Sequence, residues 1–169
     1  MSNILTYITS ANPCLGVVAM VPNSLGPAEL LLHYGTKEQQ EKYLPQLANG
    51  EKIPCFGLTG PHNGSDATGQ IDKGRVIKED GELYIDVSIK KRYITLAPVA
   101  NLIGVAFEVE DPHNYLGKTG VTLALIERGH PGLEQNGYHN PLDTGFPNGT
   151  LEGNLRISVN DVIGGVNEI

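Results

Sequence analysis

The feature that most constrains the fold is a change in the spacing of apolar residues near residue 50. Before that point the spacing is helical, since Ile4, Leu5 and Ile8 recur about one turn apart. After it the period is two, as in the alternating apolar positions of 83–89. The first pattern buries a helix stripe and the second buries one face of a strand. The chain is therefore predicted to be α+β, with a short N-terminal helical segment followed by an antiparallel β-barrel or sandwich.

Local signals set the expected helix boundaries. Pro22 is expected to end one helix, and Pro27 suits the first turn of the next. Thr36 followed three residues later by Gln39 is a capping-box pattern, and the helix that it opens is expected to run to about Leu47.

Turn-rich segments separate several expected strands. The apolar residues alternate in 105–109 and 155–159, as they do in half-buried strands, and the Glu-Asp-Gly sequence at 79–81 predicts a turn. The run 121–126 is apolar at both alternating sets of positions, which predicts a central strand.

The segment 54–66, PCFGLTGPHNGSD, combines a short strand with a glycine-rich loop. Residues 55–59 are expected to form the strand, and Ser65 and Asp66 are typical N-cap residues that predict a helical turn with free N–H groups. Gly64 would allow a close backbone approach. Such a stretch can receive a flat ring along the strand and a phosphate at the loop. An ordinary strand-to-loop connection is the alternative, because the same residue types are common in turns.

Two short segments carry a resemblance to a known family. The sequence LTGPHNGSD at 58–66 resembles the flavin-binding signature of the acyl-CoA dehydrogenases, and KRYIT at 91–95 resembles the later flavin segment of that family. The resemblance extends through MVPNSLGP at 20–27 and HNPL at 139–142, with the closest likeness to the large bacterial members of fatty-acid β-oxidation.

The resemblance implies FAD-dependent α,β-dehydrogenation of acyl-CoA thioesters. Residues 1–50 would be the C-terminal part of an N-terminal helical domain, and 51–169 a β-barrel middle domain that binds flavin and acyl-CoA. The family's catalytic glutamate lies on a C-terminal helical domain that is expected to be missing after Ile169, so the chain is predicted to be truncated and inactive alone. No catalytic residue is predicted, since Glu127 and Glu134 match no motif.

The resemblance also implies specific contacts. Tyr93 would lie against the flavin ring, Thr95 would donate toward the flavin nitrogen that accepts hydride, and Ser65 would contact both cofactor and acyl-CoA. From the residues alone, core packing is the favoured interpretation of Phe56 and Leu58. The eight predicted cofactor-binding residues are Phe56, Leu58, Thr59, Gly64, Ser65, Tyr93, Ile94 and Thr95.

Two further groups of polar residues are interpreted without a ligand. His62 and Asn63 depart from the family pattern, and surface variation at a loop tip is the favoured explanation. The cluster 90–92, Lys-Lys-Arg, is interpreted as a solvated strand end. The five histidines lack metal-ligand spacing, so no metal site is predicted.

Composition limits the classes of partner. With 19 acidic and 12 basic residues the net charge is −7, which does not suit binding to nucleic acid. The sequence shows no transmembrane segment or signal peptide, so a cytoplasmic location with reduced Cys14 and Cys55 is expected. The expected partners are acyl-CoA and an electron-transfer protein, with a possible homo-oligomer. The alternative is a stand-alone β-barrel interaction module that has lost flavin binding and exposes an apolar face within 4–47.

Overall fold

A computed structural model describes residues 2–20 and 26–165, and its first part is helical. Pro22, where the second helix is predicted to end, lies outside the described residues, as does part of the 20–27 segment. In the part of the chain that the structure describes, no helix is both long enough and apolar enough to cross a membrane. The helices are α1 Ser2–Ala11, α2 Pro13–Met20, α3 Gly26–Tyr34 and α4 Lys37–Ala48.

The predicted capping box of α4 is confirmed. The Thr36 hydroxyl accepts from the Gln39 N–H at 3.2 Å, and Gln39 Oε1 accepts from the Thr36 N–H at 3.1 Å. The Gln39 amide also donates to the carbonyls of Asn160 and Val162 at 3.0 and 2.7 Å, and its oxygen accepts from the Gly164 N–H at 3.1 Å. One side chain therefore both caps the helix and holds the 160–164 turn.

The remainder of the chain forms one eight-stranded sheet, so the predicted α+β class is confirmed. The pairing is mixed rather than wholly antiparallel, because β1 and β2 both run parallel to β4. The strands are β1 Pro54–Gly57, β2 Lys73–Glu79, β3 Glu82–Thr95, β4 Leu102–Glu110, β5 Gly120–Glu127, β6 Leu133–Glu134, β7 Tyr138–His139 and β8 Asn148–Ser158.

Strand β4 is the centre of the sheet. One edge of β4 is shared by β1 and β2, and the other pairs with β5 along its length. It is buried on both faces, whereas the alternation in 105–109 predicts a half-buried strand. The prediction that 121–126 is the central strand was wrong: β5 is covered on both faces, but within residues 2–20 and 26–165 its outer edge meets only an isolated bridge from Val162 and a hydrogen bond from the Ile163 N–H.

Alternate residues of β4 enter two different cores. Ile103, Val105 and Phe107 join a cluster enclosed by the curving sheet, which includes Ile85 and Ile157. On the opposite face, Leu102 and Ala106 pack with Leu31 of α3 and Tyr43 of α4. Helices α3 and α4 thus cover one face of the strand that organises the sheet.

The β2–β3 connection is a two-residue hairpin. Glu79 pairs with Glu82, and the intervening Asp80 and Gly81 have φ values of 50° and 90°. Two consecutive positive φ angles at Asp-Gly are typical of a type I′ turn, whose twist matches that of paired strands. The turn predicted at 79–81 is confirmed.

Candidate functional site

The two segments that resemble flavin-binding sequences lie side by side. The Arg92 N–H donates to the carbonyl oxygen of Thr59 at 3.0 Å, which joins the end of β3 to the chain just after β1. The side chains around this junction enclose a depression of about 160 Å³. Its lining is formed by Phe56, Leu58, Thr59, Tyr93, Ile94 and Thr95. Six of the eight predicted cofactor-binding residues are therefore neighbours, although their role in binding flavin stays a prediction.

Gly64 and Ser65 do not line this depression, because they lie on the exposed loop that follows β1. The helical turn expected at Ser65 and Asp66 was wrong, since bends and a turn occupy 61–70. The loop obtains its hydrogen bonds from Asn63 instead: its Oδ1 accepts from the Gly60 N–H at 2.8 Å, and its Nδ2 donates to the Leu58 carbonyl at 3.0 Å.

Asn63 is a structural residue and not a variable loop tip. Its side chain is buried, and a third hydrogen bond runs from Nδ2 to the Ala67 carbonyl at 2.8 Å. The interpretation of Asn63 as surface variation was therefore wrong, while His62 beside it is exposed. A buried amide bonded to three backbone groups fixes the path of the loop that carries Gly64 and Ser65.

Gly64 has no packing reason within the described chain to be glycine. A Cβ built on it would meet no atom within 4 Å, whereas a Cβ on Gly60 would come within 2.6 Å of Asn63 Oδ1. A Cβ at Gly64 would therefore face open space, as it would at other loop glycines such as Gly81 and Gly129, and a close approach of a ligand to this backbone stays a prediction.

Lys91 is fully buried, so the interpretation of 90–92 as a solvated strand end was wrong at this position. Its Nζ lies 2.8 Å from Asp72 Oδ2 and donates to the Leu58 carbonyl at 3.2 Å. Burial lowers the pKa of the Lys91 ammonium, and the hydrogen bond and charge of Asp72 oppose that shift. The ion pair links β3 to the residue that precedes β2, and the hydrogen bond to Leu58 links β3 to the strand end that carries half of the candidate wall.

Tyr93 is held in a sparsely populated backbone conformation. Its φ is 58°, and it lies within the register shift of β3 between Lys91 and Ile94. Its ring packs at a tilt against His139, with centroids 4.9 Å apart, and the Arg92 guanidinium lies 5.2 Å from its centroid. A left-handed conformation at a bulky residue persists only when its surroundings hold it there, and such residues concentrate at functional sites.

A second, apolar groove of about 360 Å³ lies on the helix side of β1. Phe56 and Leu58 contribute to it as well as to the smaller depression, and Leu30 and Tyr34 of α3 form the opposite wall. Thr68, from the same loop as Ser65, closes one side. The side chains at the end of β1 thus separate two concave surfaces, the depression and the apolar groove.

No cluster of three or more His, Cys, Asp or Glu that could hold a metal ion is present within residues 2–20 and 26–165. Cys14 and Cys55 are free thiols, and burial raises the pKa of the Cys55 thiol to about 12. Cys55 is therefore a packing residue of the core and not a reactive thiol.

Comparison with known proteins gives a consistent set of relatives. The family model "Acyl-CoA dehydrogenase, N-terminal domain" matches residues 3–51. An acyl-CoA dehydrogenase of Bacillus subtilis (strain 168) is 33% identical over 126 residues, covering 75% of this chain and 31% of that protein. A 3-(aryl)acrylate reductase of Clostridium sporogenes (strain ATCC 15579) is 33% identical over 171 residues, covering 98% of this chain and 42% of that protein.

Solved structures agree with the sequence relatives. The crystal structure of a glutaryl-CoA dehydrogenase from Mycobacterium smegmatis in complex with FADH2 superimposes with a TM-score of 0.66 and 28% identity, covering 79% of this chain and 32% of that chain. This chain thus spans about a third to two fifths of the length of these relatives.

Proposed function

The chain belongs to the acyl-CoA dehydrogenase family, and from this premise we propose that its β part binds FAD against the wall formed by 56–59 and 93–95. The observation that carries the proposal is the convergence of these segments, which are far apart in sequence, on one depression. We also propose the division into a helical part at 1–50 and a β part at 51–169.

The chemistry of the wall fits a flavin. A tricyclic ring is flat and largely apolar, and Phe56, Leu58 and Ile94 offer apolar surface while Tyr93 offers an aromatic face. Thr59 and Thr95 add hydroxyl groups to the lining, beside the phenol of Tyr93. When bound, the flavin would supply two-electron chemistry, and these residues would set its orientation and electronic environment.

We propose that the reacting substrate is an acyl thioester, placed by Ser65 and the 60–70 loop. The apolar groove beside β1 shares the loop residue Thr68 and is suited to an acyl chain. The reaction proposed is removal of a proton from Cα and of a hydride from Cβ, which leaves a double bond between them. We include the reverse reaction, reduction of that double bond, because one relative is named as a 3-(aryl)acrylate reductase.

The proton-abstracting base is proposed to come from outside this wall. Among the described residues, the six that line the depression include no carboxylate, and neither do those of the apolar groove. A general base must lie within hydrogen-bonding reach of the proton that it removes. We therefore propose that the chain alone binds flavin without efficient turnover of acyl-CoA, and that an electron-transfer partner serves the complete catalytic unit.

The first test is titration of the purified chain with FAD, followed by flavin fluorescence and absorbance. Tyr93→Ala is expected to weaken binding about tenfold, because the variant loses an aromatic contact with the ring. Tyr115→Ala is the control, since Tyr115 is also half exposed and also stacked on a histidine, His113, in a loop away from the depression. Failure of the wild-type chain to bind FAD would contradict the proposed function.

A second prediction concerns Gly64. Gly64→Ala is expected to leave the melting temperature unchanged, because the added methyl group meets open space, while weakening FAD or acyl-CoA binding about fivefold to tenfold. Gly60→Ala is the contrasting variant, as its methyl group would press on Asn63 Oδ1 and is expected to lower the melting temperature. Unchanged affinity for both ligands in Gly64→Ala would show that neither approaches this backbone.

A non-catalytic interaction module is the second candidate, and one observation favours it. Helices α1 and α2 expose large apolar side chains, namely Ile4, Tyr7, Leu15 and Val18. Exposed apolar surface of this kind is typical of contact with another protein surface. A chain that binds no FAD but forms a stable oligomer would favour this second candidate.

A further inference from the structure

A row of polar side chains continues the candidate flavin wall across three strands. Thr95 of β3 is directly paired with Asn148 of β8, and Asn148 is directly paired with His139 of β7. Residues directly opposite each other in antiparallel strands project their side chains to the same face of the sheet. Thr95 lines the depression, and Asn148 and His139 follow it in a row on the same face of the sheet.

Two atoms of this row are buried without a partner. Nε2 of His139 and Oδ1 of Asn148 are inaccessible to solvent, and among the described residues neither has a hydrogen-bond partner. Folded proteins pair most of their buried polar atoms, so unpaired ones need an explanation. Here both belong to residues paired across β7 and β8, and Asn148 is in turn paired with Thr95, which lines the depression.

The row is coupled to the aromatic part of the wall. The His139 ring packs against Tyr93, with centroids 4.9 Å apart and planes inclined at 42°. Tyr93 is the strained residue that separates the two registers of β3. The imidazole is therefore positioned by the same contact that orients the Tyr93 ring, and its unpaired nitrogen keeps a defined place beside the wall.

We propose that Asn148 and His139 are flavin-binding residues that hydrogen-bond the polar part of the cofactor next to Thr95, an inference that rests on the proposed function. Because both atoms are covered in the ligand-free chain, their side chains turn toward the depression when the cofactor binds. Asn148 Oδ1 accepts hydrogen bonds, so its partner must be a donor, and Nε2 of a neutral imidazole can donate or accept according to the tautomer. The N–H of the flavin ring and the ribityl hydroxyls are suitable donors. The methylated edge of the ring has none, so the row would select one orientation of the ring.

The proposal predicts opposite effects on the ligand-free protein and on binding. Asn148→Leu and His139→Phe remove an unpaired polar atom while keeping side-chain bulk, and His139→Phe keeps a ring against Tyr93. The melting temperature of the ligand-free variants is expected to be unchanged or raised by about 2 °C, because no hydrogen bond is lost. The dissociation constant for FAD is expected to rise about fivefold to tenfold in each variant.

Matched controls are available in the same chain. Asn154→Leu changes an exposed asparagine of the same strand, and His113→Phe changes an exposed histidine that stacks on Tyr115 with centroids 5.4 Å apart. Both controls should bind FAD as the wild type does. A purely structural role for Asn148 and His139 would lower the melting temperature and the affinity together.

Repeating the titrations with riboflavin and lumiflavin identifies the group that is bound. A loss of affinity for both ligands in the variants would assign the row to the ring N–H, and a loss for riboflavin alone would assign it to the ribityl hydroxyls. Wild-type affinity of both variants for FAD would overturn the inference and leave the proposed function intact. No FAD binding by the wild-type chain would overturn both.

Discussion

Replacing Asp72 by alanine is expected to lower the free energy of unfolding by about 3–5 kcal/mol, because it leaves the buried Lys91 ammonium without the carboxylate that pairs with it. A loss of that size is a large fraction of the roughly 5–15 kcal/mol that stabilises a typical domain. Urea denaturation followed by circular dichroism would measure it. A loss below about 1 kcal/mol would contradict burial of a charged lysine at this position.

Replacing Lys91 is expected to lower the free energy of unfolding by less than replacing Asp72. In Lys91→Met the Asp72 side chain, which is 21% exposed, can reach water, and the Leu58 carbonyl keeps its hydrogen bond from Asn63. A loss of about 1–3 kcal/mol is expected. The double variant should be more stable than Asp72→Ala alone, since it contains neither buried charge, and it serves as the control for the single one.

The pH dependence follows from the lowered pKa of Lys91. Because the folded-state pKa lies below the ordinary value of 10.5, the unfolded chain binds more protons between these two values. Stability from this residue therefore rises with pH across that window and is lost as pH falls through the folded-state pKa. In Asp72→Ala the opposing carboxylate is absent, so the window reaches lower pH and the variant should regain stability on the alkaline side. The double variant should lack this rise.

Phe107→Ala is the second large effect, with an expected loss of about 3–5 kcal/mol of unfolding free energy. Phe107 is completely buried in the cluster enclosed by the sheet. Its ring lies so close to Gly74 that a Cβ there would come within 2.8 Å of it, so the surrounding strands are already in contact with the ring. These strands are hydrogen-bonded to one another and can collapse only partly into the cavity.

Tyr138→Ala provides the comparison, because Tyr138 is 56% exposed and its truncation should change the unfolding free energy by about 0.5 kcal/mol or less. Urea denaturation of both variants at one pH would test the difference. Equal losses in Phe107→Ala and Tyr138→Ala would contradict the assignment of Phe107 to the core.

The parts of the fold that follow from short-range rules could be predicted from sequence. The Thr36–Gln39 cap and the Asp80–Gly81 turn need only residues within four positions of each other. The position of β5 could not be predicted, because apolar residues on both faces report burial and not which strand pairs with its edges. β2 was missed, since four of its seven residues are charged and its two buried positions are Gly74 and Val76, so it shows no alternation of apolar side chains.

The residues of the candidate site also divide into those that the sequence could predict and those that it could not. The segments around Phe56 and Tyr93 were found because each is a continuous stretch that resembles a flavin segment of the family. Their proximity depends on strand pairing, which the structure shows. Lys91 was misinterpreted, since a lysine within a basic run ordinarily faces water and only the distant Asp72 explains its burial. Asn148 carried no local signal, and His139 was noticed only as part of the HNPL resemblance, because the relation of both to Thr95 exists only through the register of three strands.

Gln39 has a consequence for how the two halves of the chain respond to stress. Its amide serves the start of α4 and the turn at 160–164 at the same time, across more than 120 residues of sequence. Fraying at either end of this connection deprives the other end of hydrogen-bond partners. The boundary near residue 50 is therefore a change of secondary structure and not a hinge for α3 and α4, and these two helices and the sheet should melt as one cooperative body.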